Sequence, residues 1–220
     1  MKLYGARRSP FFRKVRIVLE EKGIPYELEE IVPVPKTPEL LALSPLGKIP
    51  ILEDGGAVVP DSSVICAYLE KKHPSPALIP EDPAELARAL FLEEYADSHM
   101  SESMGAIALE RFVKPNLLGQ PTDEARLAEL LEAVTARWFG TPAAARGSAL
   151  PPVMDYLESQ VPADGDCVLS RFSIADAALG AQLAGALAAG IEIDAERWPR
   201  TLRYYRALCA RPSFETALAL

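Results

Sequence analysis

Ile49-Pro50-Ile51-Leu52-Glu53-Asp54-Gly55-Gly56-Ala57-Val58-Val59-Pro60-Asp61-Ser62-Ser63 holds two strands, a tight turn and the start of a helix. Asp54-Gly55-Gly56 is a hairpin signal, because glycine accepts the positive φ that such turns need. It predicts antiparallel pairing of Ile49–Glu53 with Ala57–Val59. Asp61, Ser62 and Ser63 then offer short oxygen side chains to the unbonded N–H groups of a first helical turn. That helix runs to Lys72, where His73-Pro74 ends it. Working back from the hairpin, Thr37–Leu43 reads as a short helix opening with Pro38, and Tyr26–Val34 as a strand. Phe11–Lys22 places Phe12, Val15, Ile17, Val18 and Leu19 close to helical spacing and stops at Gly23. Lys2–Tyr4 is a first short strand. The order β-α-β-α-β-β-α predicts parallel pairing within the strand–helix–strand unit and antiparallel pairing in the hairpin.

Working forward, the chain changes character after Pro74, Pro76, Pro80 and Pro83, and no strand pattern follows. Helical patterns cover Pro83–Val113, Thr122–Phe139, Pro152–Gln160, Ser173–Ala189 and Pro199–Arg211, with a loop expected over residues 140–151. Ser173-Ile174-Ala175-Asp176 is a capping box in its aspartate form, and the helix behind it is apolar nearly all round, so it is expected to be buried. The expected organisation is an α/β domain over residues 1–78, a linker over 79–84 and an all-helical domain over 85–220.

Composition narrows the class. With 49% hydrophobic and 25% charged side chains, the 220 residues can fill a core. The 31 acidic residues against 23 basic ones argue against nucleic-acid binding. Three cysteines without paired spacing suit a reducing compartment, and no apolar run is long enough to span a membrane. Met1–Gly5 lacks a signal-peptide pattern, so a cytoplasmic location is expected. No cluster has metal-ligand spacing, and no metal is expected. Arg7, Arg8, Arg13, Lys14 and Arg16 crowd into ten residues. The ordinary expectation is a solvated helix face; the alternative is a positive field for a small anion.

Four segments resemble one family. Ser9-Pro10-Phe11-Phe12-Arg13-Lys14-Val15-Arg16 followed by Glu20–Tyr26, then Pro45–Leu52, then Val59–Ser63, then Phe172–Asp176, are similar in order and spacing to cytosolic glutathione transferases of the serine type. The resemblance implies a thioredoxin-like N-terminal domain followed by a helical domain. It implies glutathione as co-substrate, a small apolar electrophile and a homodimer.

Roles follow from the same likeness. Asp61 would accept the glutathione ammonium, and Ser62 with nearby backbone N–H groups would hold the γ-glutamyl carboxylate. Ile49, before a cis Pro50, would pair with the backbone of the glutathione cysteine. Lys36 and Lys48 would face the glycine carboxylate. Ser9 stands where a thioredoxin-like redox cysteine would, and would donate to the thiolate; Tyr4 is the rival, since other classes use an early tyrosine. Cys66, Cys167 and Cys209 lie elsewhere, against dithiol exchange. Phe11, Tyr95, His99, Met100 and Met104 are expected to line the electrophile pocket. The alternatives are glutathione-dependent reduction or isomerisation, a ligand-binding protein without turnover, and a regulatory transferase-like protein.

Overall fold

Strand β1 (Lys2–Gly5) lies at the centre of the N-terminal domain, parallel to β2 (Glu27–Glu30) and antiparallel to β3 (Ile51–Asp54), which pairs with β4 (Ala57–Pro60). This computed structural model describes residues 1–102, 104–140 and 152–219. The sheet order is β2-β1-β3-β4, with helices α1 (Pro10–Glu21), α2 (Pro38–Leu43) and α3 (Ser62–Lys72) between and after the strands. Leu3, Ile51 and Leu52 are fully buried, so α1 and α3 cover the sheet where the apolar positions require it. Gly5 permits the closest approach: a Cβ there would stand 2.2 Å from the Phe12 ring. The strand expected over Tyr26–Val34 shrinks to four residues. β1 offers only Lys2–Gly5 as partners, and Pro33 and Pro35 have no N–H to donate.

The remainder is helical. Helix α4 (Pro83–Tyr95) leads through a π-helical turn, Ala96–Met100, to α5 (Met104–Ala108). A second π-turn, Leu109–Val113, leads to α6 (Lys114–Leu117). The single helix expected over Pro83–Val113 is therefore interrupted. Ser98 donates to the Glu94 carbonyl at 2.7 Å and Ser101 to that of Asp97 at 2.5 Å, competing with the backbone ladder there. Helices α7 (Glu124–Phe139), α8 (Val153–Gln160) and α9 (Ile174–Ala188) follow; most of the loop expected at 140–151 lies outside the described residues. The helix expected over Pro199–Arg211 is instead α10 (Pro199–Cys209), with α11 (Pro212–Leu218) after it. Pro212 drives Arg211 out of helical geometry, to φ −79° and ψ 137°.

Helix α9 packs on both α1 of the N-terminal domain and α4. Its capping box forms: the Asp176 carboxylate accepts from the Ser173 N–H at 2.9 Å and the Ser173 hydroxyl at 3.1 Å.

Of the five early cations expected on a solvated face, only Arg7 and Arg8 remain accessible. Arg13, Lys14 and Arg16 are 5%, 0% and 4% exposed, because α1 is enclosed by the sheet, α3, α9 and α11. Arg16 donates to the Tyr26 hydroxyl at 3.1 Å and to the carbonyls of Thr216 and Ala217 at 2.9 and 3.1 Å, fastening the last helix to the first.

Candidate active site

The register of the sheet gathers four connections at one of its ends. Gly5 of β1 pairs with Glu30 of β2, Tyr4 with Ile51 of β3, and Ile51 with Pro60 of β4. The segments after β1, after β2, before β3 and after β4 therefore leave the sheet at one end, and they carry Ser9, Lys36, Ile49-Pro50 and Asp61. The Ile49–Pro50 bond is cis, and Ile49 precedes the first paired residue of β3.

Ser9 is the N-cap of α1. Its Oγ accepts the Phe12 N–H at 3.4 Å, so the hydroxyl proton remains free to point outward from the positive end of the helix. Tyr4 is differently committed. Its hydroxyl donates to the Glu53 carboxylate at 2.7 Å, a bond that raises the phenol's pKa. Asp61 is the N-cap of α3 and the one described non-glycine residue with positive φ, 83°. Its Oδ1 accepts the N–H groups of Ser63 and Val64 at 3.0 and 3.2 Å while the residue stays exposed, leaving Oδ2 open. Such a strained backbone is common where a site fixes a side chain.

Lys36 lies across Gly47 and donates to the Leu46 carbonyl at 2.9 Å. A Cβ on Gly47, whose φ is 60°, would sit 2.7 Å from the Lys36 side chain. Exposed Lys48 is next in the chain, its N–H donating to Ser44 Oγ at 3.1 Å.

Behind Asp61 stands a cluster the sequence reading missed. Lys14 donates to Glu93 at 2.6 Å, to Ser63 at 3.1 Å and to Asp97. Ser63 donates to Glu93 at 2.5 Å, and Ser62 reaches Asp97 at 3.5 Å. The group ties α1 and α3 to α4. Burial pulls the Lys14 pKa down, but the carboxylates of Asp97 and Glu93 together hold it above its ordinary value; burial raises that of Asp97. Only tertiary contact joins these residues, which are 79 and 83 positions apart.

The electrophile-pocket residues separate. Met100 and Met104 are buried in the core, not lining an open cleft. The Tyr95 and His99 rings meet at 5.1 Å, tilted by 44°, and Tyr95 meets Tyr156 of α8 at 4.7 Å. Phe11, half-buried, does adjoin Ser9. The aromatic residue that meets the Ser9 turn from the helical domain is Phe112, whose ring lies 4.7 Å from the Arg8 guanidinium. A lone aromatic beyond a serine-interrupted helix gave no periodic signal. Cys66 is buried, which pushes its thiol up to about 12 and keeps it protonated.

Residues 3–77 match the profile of the glutathione S-transferase N-terminal domain. Maleylacetoacetate isomerase of Pseudomonas aeruginosa is 31% identical over 224 residues, spanning 99% of this chain and 95% of that protein. The chain belongs to the glutathione S-transferase family. The GST-like protein YibF of Escherichia coli is 37% identical over 108 residues, a match spanning about half the length of each (49% of this chain, 54% of YibF). A transferase of Methylobacterium radiotolerans solved with glutathione sulfonate superposes with a TM-score of 0.73 at 29% identity, over 99% of this chain and 93% of that one. Among the described residues no helix of this transferase-family fold is long and apolar enough to cross a membrane.

Proposed function

We propose that the protein is a cytoplasmic glutathione transferase that adds the glutathione thiolate to a small electrophile, a detoxifying chemistry. The observation that carries this reading is Ser9: a hydroxyl at the start of a 12-residue helix, its acceptor side used and its proton free. One charge-assisted hydrogen bond contributes about 1.5–3 kcal/mol and the helix terminus about 0.3–1 kcal/mol. At about 1.36 kcal/mol per pKa unit, the two lower a thiol near 8.5 by roughly 1.3–3 units, which makes from about 40% to nearly all of it thiolate at pH 7. The sulfur then attacks the electrophilic carbon; a C–S bond forms, and a leaving group departs or the adjacent carbanion takes a proton.

Binding is assigned to residues of the 1–78 domain. Lys36 and Lys48 take the glycine carboxylate, Ile49 the cysteine backbone, Asp61 the ammonium, and Ser62 the γ-glutamyl carboxylate. The free Oδ2 of Asp61 supports its role. The protein acts as a homodimer, the usual state of the fold it shares.

Turnover of a panel of aryl halides and activated alkenes, followed by loss of free thiol, tests the reading; no conjugate with any member overturns it. Isomerisation is the second reading, favoured by the end-to-end match to an isomerase. There the thiolate adds to a conjugated double bond and leaves again, so product forms while free thiol stays constant.

A further inference from the structure

Two close contacts bound the first turn of α1, one from each domain. From the sheet, Gly5 meets the fully buried Phe12. From the helical domain, half-buried Gly185 of α9 meets Pro10, where a Cβ on the glycine would stand 2.9 Å from the Pro10 Cγ and 3.9 Å from its Cβ. Ser9 enters this turn. Its N–H donates to the Ala6 carbonyl at 2.8 Å, and its carbonyl accepts from the Arg13 N–H at 2.9 Å. The bond from the Phe12 N–H to its Oγ is already long at 3.4 Å, so a small displacement of the turn breaks it. Nothing in the backbone of α9 asks for glycine at 185. The residue is helical, its neighbours at 184 and 186 are alanine, and alanine forms a helix better. The contact with Pro10 accounts for the missing methyl. A proline ring is closed on its own backbone nitrogen, the atom joined to the Ser9 carbonyl carbon, so a push on Cγ cannot be relieved by swinging a side chain away.

We infer that Gly185 is a positioning residue for the thiolate: through the Pro10 ring, α9 sets where the Ser9 hydroxyl stands. This rests on the assignment of Ser9 in the glutathione reading above, and it places a determinant of that site in the helical domain. A methyl at 185 displaces Pro10 and with it the hydroxyl that donates to the sulfur. The charge-assisted hydrogen bond then weakens, because its strength depends on distance and direction, although no group that touches glutathione has been removed.

The pKa of bound glutathione, read from thiolate absorbance with no electrophile present, separates positioning from packing. Gly185→Ala should raise it by about 0.5–1 unit, roughly three to ten times less thiolate below the new pKa, while S-methylglutathione, which has no thiol, binds as before. Pro10→Ala removes the Cγ and keeps the Cβ at 3.9 Å, so the double variant should titrate within about 0.2 unit of Pro10→Ala alone. Gly180→Ala is the packing control on the same helix. Its Cβ would stand 2.4 Å from the Phe214 ring and 2.8 Å from Leu208, so it should lower the melting temperature and leave the thiolate titration unmoved. An unmoved titration in folded Gly185→Ala, the ring then absorbing the methyl by puckering, overturns the inference. So does a shift that Pro10→Ala fails to correct, or one that Gly180→Ala produces equally. If Gly185→Ala does not fold, recovery of fold and titration in the double variant supports the contact, and a double variant that does not fold overturns it. A titration unmoved by Ser9→Ala, or no glutathione binding by the unaltered protein, removes instead the reading on which the inference rests.

Discussion

Two helix starts in this chain combine an aspartate with a serine, and they behave in opposite ways. Asp176, fully buried at the head of α9, accepts from the N–H groups of Val168 and Ser173, the Ser173 hydroxyl and the Tyr204 hydroxyl, each within 3.1 Å. Asp61, exposed at the head of α3, caps with one oxygen, holds a positive φ and leaves the other oxygen open. A saturated carboxylate in the interior stabilises the fold. An unsaturated one on a strained backbone is available to a ligand. The motif is shared; the count of satisfied lone pairs separates the roles.

The largest expected effect tests the saturated end of that contrast. Asp176→Ala leaves two buried N–H groups and two hydroxyls unpaired, and should lower unfolding stability by about 3–5 kcal/mol in a denaturant titration. A loss below about 1 kcal/mol would make the two aspartates equivalent. Lys14→Met should cost about 3 kcal/mol at neutral pH, because Glu93 and Asp97 lose their buried cation. The folded variant then binds protons more tightly than the unfolded chain, so its deficit should shrink as pH falls through the raised Asp97 pKa. A pH-independent deficit would count against charge as its cause.

The next effects sharpen the open end. Asp61→Ala should weaken glutathione by about 2 kcal/mol, roughly thirtyfold, and cost about 1 kcal/mol of stability through the lost cap. Asp61→Asn keeps the cap and removes the charge, so calorimetry should show the affinity loss without the stability loss; unchanged affinity would remove Asp61 from the site. Ser9→Ala should raise the pKa of bound glutathione by roughly 1–2 units, read from thiolate absorbance against pH. Activity then falls below the new pKa and recovers above it. Tyr4→Phe, whose hydroxyl serves Glu53, should move that titration by less than about 0.3 unit. A shift in Tyr4→Phe and none in Ser9→Ala would reverse the two assignments.

Much of the fold was legible because it depends on local chemistry. The Gly55-Gly56 turn, the proline-opened helices and the Ser173–Asp176 box each require particular side chains at fixed spacing. The elements misread were those in which neighbours compete with the local signal: the helix broken by Ser98 and Ser101, and the strand limited by the length of β1. Of the residues assigned to glutathione, those at strand ends share one end of the sheet, because the parallel and antiparallel strand directions that element order implies bring those ends together. The electrophile-pocket residues scattered, because helical periodicity says which face a residue shares but not which element that face meets. Tyr95 faces α8, and Phe112 took the place beside the Ser9 turn.

The sequence by itself determined the order of elements, the caps that start them and the family to which the chain belongs. The fate of its charges was decided only by the tertiary structure. Arg8, Lys14 and Arg16 belong to one basic run, yet Lys14 is buried against two carboxylates, Arg16 against carbonyls of the last helix, and Arg8 stays open beside Ser9. A formal charge is a property of a residue. Its partner, its exposure and therefore its energy belong to contacts between segments remote in the chain, and those exist only once the two domains have closed on each other.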